Sequence, residues 1–346
     1  MNIFEAKINA SNIRAIWEAN DNRPPFLGEL FFPVTTQTGL ELNLLKGKNG
    51  APVALVASNW DTNVLYRDRI GFEGLQYELP FFKEAYKVSE KLRQQILTAQ
   101  EQYRLPFFNQ VFDDITDLLL GAEVSVERMR MQLLSTGTIS IVENGVDKQY
   151  DYGFDFDKQL KTEATLWSAS GAKPFQSFMA QLKAYKKATK KAPAYVIMNT
   201  DVFDKLVNDA EVLDYFAKLP TPVAYPNDDE VQAYIEKRAK VRIFVNDAVY
   251  VKARDNTKTE VPFYPQDRYT IVSTADLGET VYGTTPEEID LLGGGNSGAL
   301  SCEVLANGVT ITTWKLVDPV NVNTKVSEVV APSCPAIESI YIVKVL

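Results

Sequence analysis

The stretch from Pro106 to Leu134 constrains this chain more than any other. Its apolar residues Val111, Ile115, Leu118, Ala122, Val126, Met129 and Leu133 advance in steps of three and four. That spacing places them on one face of a helix. Asp113, Asp114, Glu123, Glu127, Arg128 and Arg130 fall mostly on the other face. At about 1.5 Å per residue the helix is roughly 40 Å long, near the width of a small domain, so the remainder has to be laid along it. Gly121 lies inside it and costs about 1 kcal/mol relative to alanine, which leaves a kink or a break into two helices as the alternative to one rod. Taken alone, the rod also fits the core of an ordinary enzyme.

The flanks narrow this. Residues 1–36 carry a short amphipathic piece (Ile8, Ile13, Ile16, Trp17) and then NRPPFLGELFFPV, where Pro24, Pro25 and Pro33 exclude a regular helix or a central strand. Phe26, Leu27, Leu30, Phe31 and Phe32 are many large apolar groups for a segment without a core. Such an arm buries them against the body of its own subunit or against a neighbour. Leu40, Leu42 and Leu44 alternate as a strand, Lys46 to Gly50 make a turn, and Val53 to Val56 make a second strand. WDTNVLYRDRIGFEGLQYELPFF follows, with a polar tip from Arg67-Asp68-Arg69 to Glu73-Gly74. The reading for residues 37–85 is an extended β arm, the alternative a sheet edge of the main domain.

Ser89 caps a helix carrying Leu92, Ile96 and Ala99. After the rod, Gly137 is a stop, and Thr138 to Val142, Asn144-Gly145 and Val146 to Tyr152 spell a hairpin. Past Trp167 helices and strands alternate, the mark of a separate α/β unit. Pro174 opens a helix with Phe175, Phe178, Met179, Leu182 and Tyr185; Ala194 to Met198 is a strand; Asn199-Thr200-Asp201 caps a helix with Val202, Phe203 and Leu206. Asp228 or Asp229 begins another with Val231, Tyr234 and Ile235, and Val241–Val245 and Arg268–Val272 are strands. The remainder is β-rich, with Val309 to Trp314 after the Asn307-Gly308 turn and a closing strand from Ile340 to Leu346. The α/β unit reads as an insertion in a β-plus-rod domain.

Composition bears on chemistry mainly by what is missing. Among 346 residues there is no histidine, which removes His-dependent triads, most zinc sites and the usual neutral-pH proton shuttle. A net charge of −9 has the wrong sign for gripping nucleic acid over a broad face. Cys302 and Cys334 lack CxxC spacing and read as free thiols of a reducing cytoplasm, a single bridge being the alternative. The expectation is no signal peptide and no membrane span. The acidic neighbours Asp113-Asp114, Asp155 with Asp157, Asp228-Asp229-Glu230 and Glu287-Glu288 read mostly as helix starts or solvated faces, with a metal or acid–base role as the alternative. Gly293-Gly294-Gly295 lacks the Lys-Ser/Thr of a phosphate loop and reads as a mobile surface loop. Lys183, Lys186, Lys187, Lys190 and Lys191 form the one cationic run, a solvated helix end or subunit contact in preference to a nucleic-acid site.

The helix ending RMRMQLLSTGTISI, the hairpin running into DYGFDF, Trp167-Ser168, YVIMNTDVFDKLV and FYPQDRYTIVS together resemble the major capsid proteins of tailed bacteriophages. The nearest group is the family called phage major capsid protein E, typified by the lambda head protein, over about residues 26–346 in order and spacing. The resemblance implies the α+β Hong Kong 97-type phage capsid fold. Its parts are an N-terminal arm at 1–36, an extended β loop at 37–85, a peripheral domain from 86–160 with 276–346 holding the spine helix at about 106–134, and an axial α/β domain at 161–275. It implies a major capsid (head) protein that self-assembles into hexamers and pentamers of an icosahedral shell around double-stranded DNA, with no catalytic, cofactor or metal residues. Implied partners are other copies, portal, scaffold and decoration proteins, and packaged DNA held without sequence-specific binding; no membrane is involved. Implied locations are the virion and, during assembly, the host bacterial cytoplasm. Candidate assembly contacts are Phe26, Phe31 and Phe32 in the arm and Arg67, Asp68, Arg69 and Glu73 at the loop tip, and the loops from Leu219 to Asp229 would gather at five- and six-fold axes. The competing readings are a nanocompartment shell of the same fold enclosing cargo enzymes and a histidine-free enzyme with its site in the α/β unit.

Overall fold

The computed structural model describes residues 8–19, 24–46, 73–143, 145–219, 226–254, 257–292 and 299–346. The chain divides into two compact units, one of residues up to Leu42, Gln76–Met129 and Glu279–Ser333, the other of Asn43–Leu75, Arg130–Gly278 and Cys334–Leu346.

The first unit begins with α1 (Ala10–Glu18), capped by the Asn9 side chain, which accepts the Asn12 N–H at 2.8 Å. Ile8, Ile13 and Trp17 are buried and Ile16 is exposed. The proline-bounded segment after it manages one helical turn, α2 (Gly28–Phe31), and a short strand, β1 (Val34–Thr36). β2 (Glu41–Lys46) and β3 (Glu73–Glu78) pair as a two-stranded ribbon. The strand expected at Val53–Val56 lies outside the described residues. β4 (Phe81–Val88) belongs to the main sheet of the first unit, so the alternative reading, a sheet edge, holds for this end of residues 37–85. α3 (Glu90–Thr98) starts at Ser89, whose hydroxyl accepts the Leu92 N–H.

α4 (Glu101–Thr136) is the rod, 36 residues in one piece. It starts a turn earlier than expected, with Pro106 inside it. Pro106 is its sixth residue, just past the first four whose N–H groups have no helical acceptor, so the proline leaves the Gln102 carbonyl without its helical donor. Arg104 ties the start down by donating to the carbonyls of Ala99 at 2.9 Å and Leu97 at 3.1 Å. Gly121 is exposed and does not break the helix. Val111, Ile115, Leu118, Ala122, Val126, Met129 and Leu133 are all buried. Glu127 and Arg130, assigned from spacing to the polar face, are buried too, with 2% and 4% of their surface exposed.

In the second unit Gly137, at φ +79°, stops the rod; a Cβ there would lie 2.4 Å from the Phe154 ring. β5 (Thr138–Glu143) and β6 (Val146–Asp151) form the expected hairpin, Glu143 facing Val146 across a two-residue turn with Gly145 at φ +79°. Asn144 lies outside the described residues. Then come α5 (Phe156–Gln159), β7 (Leu160–Thr162), α6 (Pro174–Thr189), β8 (Tyr195–Met198), α7 (Thr200–Val207), α8 (Ala210–Ala217), α9 (Asp228–Ala239) and β9 (Arg242–Val245). β10 (Val249–Arg254) and β11 (Thr257–Pro262) make a second ribbon, and β12 (Arg268–Val272) returns to the sheet. β13 (Glu279–Gly283), β14 (Ala299–Val304), β15 (Thr310–Leu316) and β16 (Asn321–Ser333) complete the first unit, and β17 (Tyr341–Lys344) the second.

The first unit's sheet runs β1-β13-β16-β15-β14, with β4 on the other side of β16; only the β1–β13 pair is parallel. The second unit's sheet runs β7-β17-β12-β8-β9, parallel at β7–β17 and β8–β9. The closing strand β17 therefore lies inside the α/β sheet, between β7 and β12, whereas the sequence pattern groups it with the late β-rich part. Its core is aromatic: Trp167, Phe178, Tyr185, Tyr269 and Tyr341 pack with Val196, Leu206 and Ile235.

Candidate assembly surfaces

The segment around α2 is held from both sides. Its Gly28 N–H donates to Glu127 Oε1 at 2.8 Å, a buried charge-assisted bond from the rod to the arm. At its other end the Thr280 hydroxyl donates to the Phe32 carbonyl and the Thr280 N–H to the Pro33 carbonyl, both at 2.8 Å. Phe31 and Phe32 are fully enclosed, so of the two burial routes open to this segment they take the body of their own chain. Phe26 and Leu27 are half-buried and Leu30 exposed, and these three carry the apolar surface the segment still offers. Glu127 is the residue that spacing missed: a carboxylate on a helix gives no local sign that its acceptor is a glycine amide far earlier in the chain.

Of the loop-tip candidates, Arg67, Asp68 and Arg69 lie outside the described residues, and Glu73 opens β3. β4, where the chain returns from this loop, pairs along its whole length with β16 and, among the described residues, with no other strand. Its side chains stand clear of the core on both faces; only Val88 is buried, while Phe81 and Tyr86 are 37% and 44% exposed. Burial pushes the Tyr86 phenol upward, with Asp114 and Asp117 of the rod adding to it. Burial and the neighbouring Asp117 and Asp113 likewise push the Asp114 carboxyl up, so this part of the rod is a surface short of positive charge. The tip of the β15–β16 turn adds exposed Leu316, Val317 and Val320.

Of the four acidic groups, all but Asp113-Asp114 are engaged locally. Asp155 caps α5 through the Lys158 N–H at 3.1 Å, Glu230 accepts the Asn227 N–H at 3.1 Å in the first turn of α9, and Glu287 holds Lys325 and the Ser327 hydroxyl. Among the described residues no group of three His, Cys, Asp or Glu side chains suits a metal ion. In the first unit a polar cavity of about 320 Å³ is lined by Thr36, Gln37, Tyr282, Thr284 and Glu288. In the second an open hollow of about 490 Å³ holds Asp201, Asp204, Lys205 and Asp267. Burial raises the Asp267 carboxyl, but Arg268 at 2.6 Å and Lys344 at 3.3 Å outweigh that and hold it below the usual range. Gly293–Gly295 and residues 220–225 of the Leu219–Asp229 loop lie outside the described residues. Among the described residues no helix is long and apolar enough to cross a membrane.

An arm held by the rod and by β13, a 36-residue rod and an α/β unit whose sheet takes in the last strand are the features to set beside known proteins. The capsid protein of a prophage of E. coli CFT073 superposes with a TM-score of 0.62 at 14% identity, covering 98% of this chain and 99% of that one. A phage-related protein from Bordetella bronchiseptica RB50 gives 0.54 at 11% identity, covering 97% of each. The capsid of cyanophage A-1(L) gives 0.52 at 11% identity, covering 93% of this chain and 92% of that one. No curated protein sequence matches. These likenesses give the Hong Kong 97-type capsid fold, and the family described as phage major capsid protein E matches residues 9–345. The chain belongs to the phage major capsid protein E family and is a structural subunit of a phage head shell.

Proposed function

We propose that copies of this chain close into an icosahedral head of hexamers and pentamers around double-stranded DNA. The first unit takes the peripheral position and the α/β unit the axial one. The chain contributes no catalytic step. Portal, scaffold and decoration proteins complete the particle, which forms in the host bacterial cytoplasm, and DNA is contained without sequence-specific binding.

The observation that carries this is β4. Among the described residues β4 is an eight-residue edge strand without proline or bulge, exposed on both faces; Lys83, Glu84 and Lys87 guard it in part, but Phe81 and Tyr86 leave two large rings for another chain to cover. In a shell it is a contact waiting for its neighbour. Charge supports the same placement: Arg67 and Arg69 at the loop tip suit the acidic stretch Asp113, Asp114 and Asp117 of a neighbouring rod. Phe26, Leu30 and Glu73 would lie in the same class of contact. A net charge of −9 suits a wall from which packaged DNA must slide free.

Deleting residues 60–75 tests it. The truncated protein should remain folded by circular dichroism and fail to form stable shells under negative-stain microscopy. Normal shells from the deletion variant would show that the loop is no assembly element.

A further inference from the structure

In the second unit most charges at helix ends fall at two opposite edges of the sheet, with Lys173 and Glu236 among the exceptions. β8 and β9 are parallel, Tyr195 beside Arg242, so α6 and α9, which lead into them, finish at the same edge of the sheet. Their last turns and the residues just beyond hold Lys186, Lys187, Lys190, Lys237, Arg238 and Lys240, all exposed. Among the described residues none of the six is joined to a carboxylate in an ion pair. At the opposite edge α7 leaves β8, and the Asp209 that caps α8 accepts the Phe175 N–H from the first turn of α6 at 3.1 Å. α9 begins there too, its acidic first turn about 12–15 Å along its axis from its basic last turn. Asp201, Glu211, Asp228 and Asp229, in the first turns of α7, α8 and α9, are exposed at this edge.

Helix dipoles favour acids at N-termini and bases at C-termini, which accounts for part of the pattern. They do not account for Lys190 and Lys240, which end α6 and α9 in left-handed backbone at φ 60° and 58°. That position ordinarily takes glycine, because a side chain there is strained. Two helices of one unit accept the strain and place a lysine at the same edge.

We propose that the cationic edge of this unit in one copy docks on the acidic edge of the same unit in the next. The proposal rests on the shell reading above and names the surface by which neighbours in a ring recognise one another. Contact between unlike ends is heterologous, and when the rotation closes it generates rings. Complementary potentials of this kind set register and speed encounter, and they weaken with salt. Nucleic acid is the other polyanion a lysine edge could meet, but the aromatic residues near it are already engaged, Tyr185 being fully buried and Tyr195 stacked on Phe244.

One chain carrying Lys186→Glu, Lys187→Glu and Lys237→Glu and another carrying Glu211→Lys, Asp228→Lys and Asp229→Lys provide the test. With wild type forming rings by native mass spectrometry at about 0.15 M salt, each variant alone should lose about tenfold or more of its ring population. Mixed in equal amounts they should recover rings, and only rings with even numbers of subunits, because each variant must stand beside the other. Recovery shows at once that both are folded. Variants that each assemble like wild type, or a mixture that does not recover, overturn the proposal while wild-type rings leave the shell reading standing. A lysine-edge variant that assembles normally but no longer retains DNA assigns that edge to nucleic acid and overturns it equally. A wild-type chain that forms no rings or shells removes the shell reading and this proposal together.

Discussion

The two units solve the same problem, how to hold a five- or six-stranded sheet together, with different interiors. The first unit buries hydroxyls, amides and charge along its strands: Thr280, Thr285, Thr310, Thr313, Asn321, Ser327 and Glu328 are all nearly inaccessible. Some are paired through their hydroxyls, Thr285 with Thr310 at 2.8 Å and Thr313 with Ser301 at 2.7 Å, where Ser301 also accepts the Ala10 N–H at 2.7 Å; Asn321 accepts from the Asn323 amide of its own strand at 2.7 Å. The second unit fills its interior with rings, Phe178 edge-on to Tyr269 and Tyr185 edge-on to Tyr341. Most of its buried polar groups sit at the ends of elements, as where Gln159 donates to the carbonyls of Ile337 and Ile340, with Thr270 inside β12 and Arg130 inside the rod as exceptions. A polar interior fixes register because each group must find its own partner. An aromatic interior gains stability through packed volume.

The largest effect should come from breaking the packed interior. Phe178→Ala removes a fully buried ring that touches Tyr269 and should cost about 3–5 kcal/mol, read by chemical denaturation, with faster hydrogen exchange in β8 and β12. A loss below about 1 kcal/mol would mean that the site collapses around the gap and that packing is not what holds this unit. In the first unit the corresponding blow falls on a partner. Glu127→Leu keeps apolar bulk on the rod but leaves the Gly28 N–H without its acceptor, at about 2 kcal/mol. Unchanged stability would place the arm's anchorage at Thr280 alone.

The difference between the interiors also decides what was legible in the sequence. The rod, the Asn144-Gly145 hairpin, the Ser89 and Asn199 caps and the Pro174 start depend on neighbours within a few residues, and spacing or turn chemistry displays them directly. α8 was missed although its signal was present, an Asp209 cap ahead of Val212 and Phe216 on one face, and the β10–β11 ribbon was missed with it. The burial of Glu127 and Arg130 was not legible, because a helical charge reads as solvated until its distant partner is known. The placement of β4 on β16 and of β17 between β7 and β12 was hidden for the same reason: alternation marks a strand but does not name its neighbour. At the candidate surfaces, the phenylalanines were visible as excess apolar surface, but which of them the chain would keep for itself was not.

A smaller test uses pH to sharpen the contrast. Burial alone would raise the Glu287 carboxyl, but the bonds from Lys325 and the Ser327 hydroxyl outweigh it and hold it below the usual range. A carboxyl held lower in the folded chain than in the unfolded one stabilises the fold fully above its unfolded value, near 4.5 here, and loses that contribution as pH falls through the folded value. Glu287→Gln should therefore cost about 1–2 kcal/mol at neutral pH, with the gap to wild type closing as the pH is taken below about 4. A gap that stays constant down to that pH would mean that the shape of the side chain matters here and its charge does not.

The smallest effect probes the aromatic interior for polarity of its own. The Tyr269 hydroxyl is fully buried and has no hydrogen-bond partner among the described residues, and its ring lies 5.5 Å from those of Trp167 and Phe178. Burial, with Glu163 adding to it, raises this phenol far above its ordinary range, so it stays neutral at any working pH. Tyr269→Phe removes a polar atom that the fold leaves unused, and stability should hold or rise by up to about 1 kcal/mol. Tyr264→Phe is the matched control, because that hydroxyl is bonded to Thr270 Oγ1 at 2.7 Å and its loss should cost about 1 kcal/mol. If the two substitutions cost the same, Tyr269 is satisfied by a buried water, and the second unit's interior is held by specific polar partners much as the first unit's is.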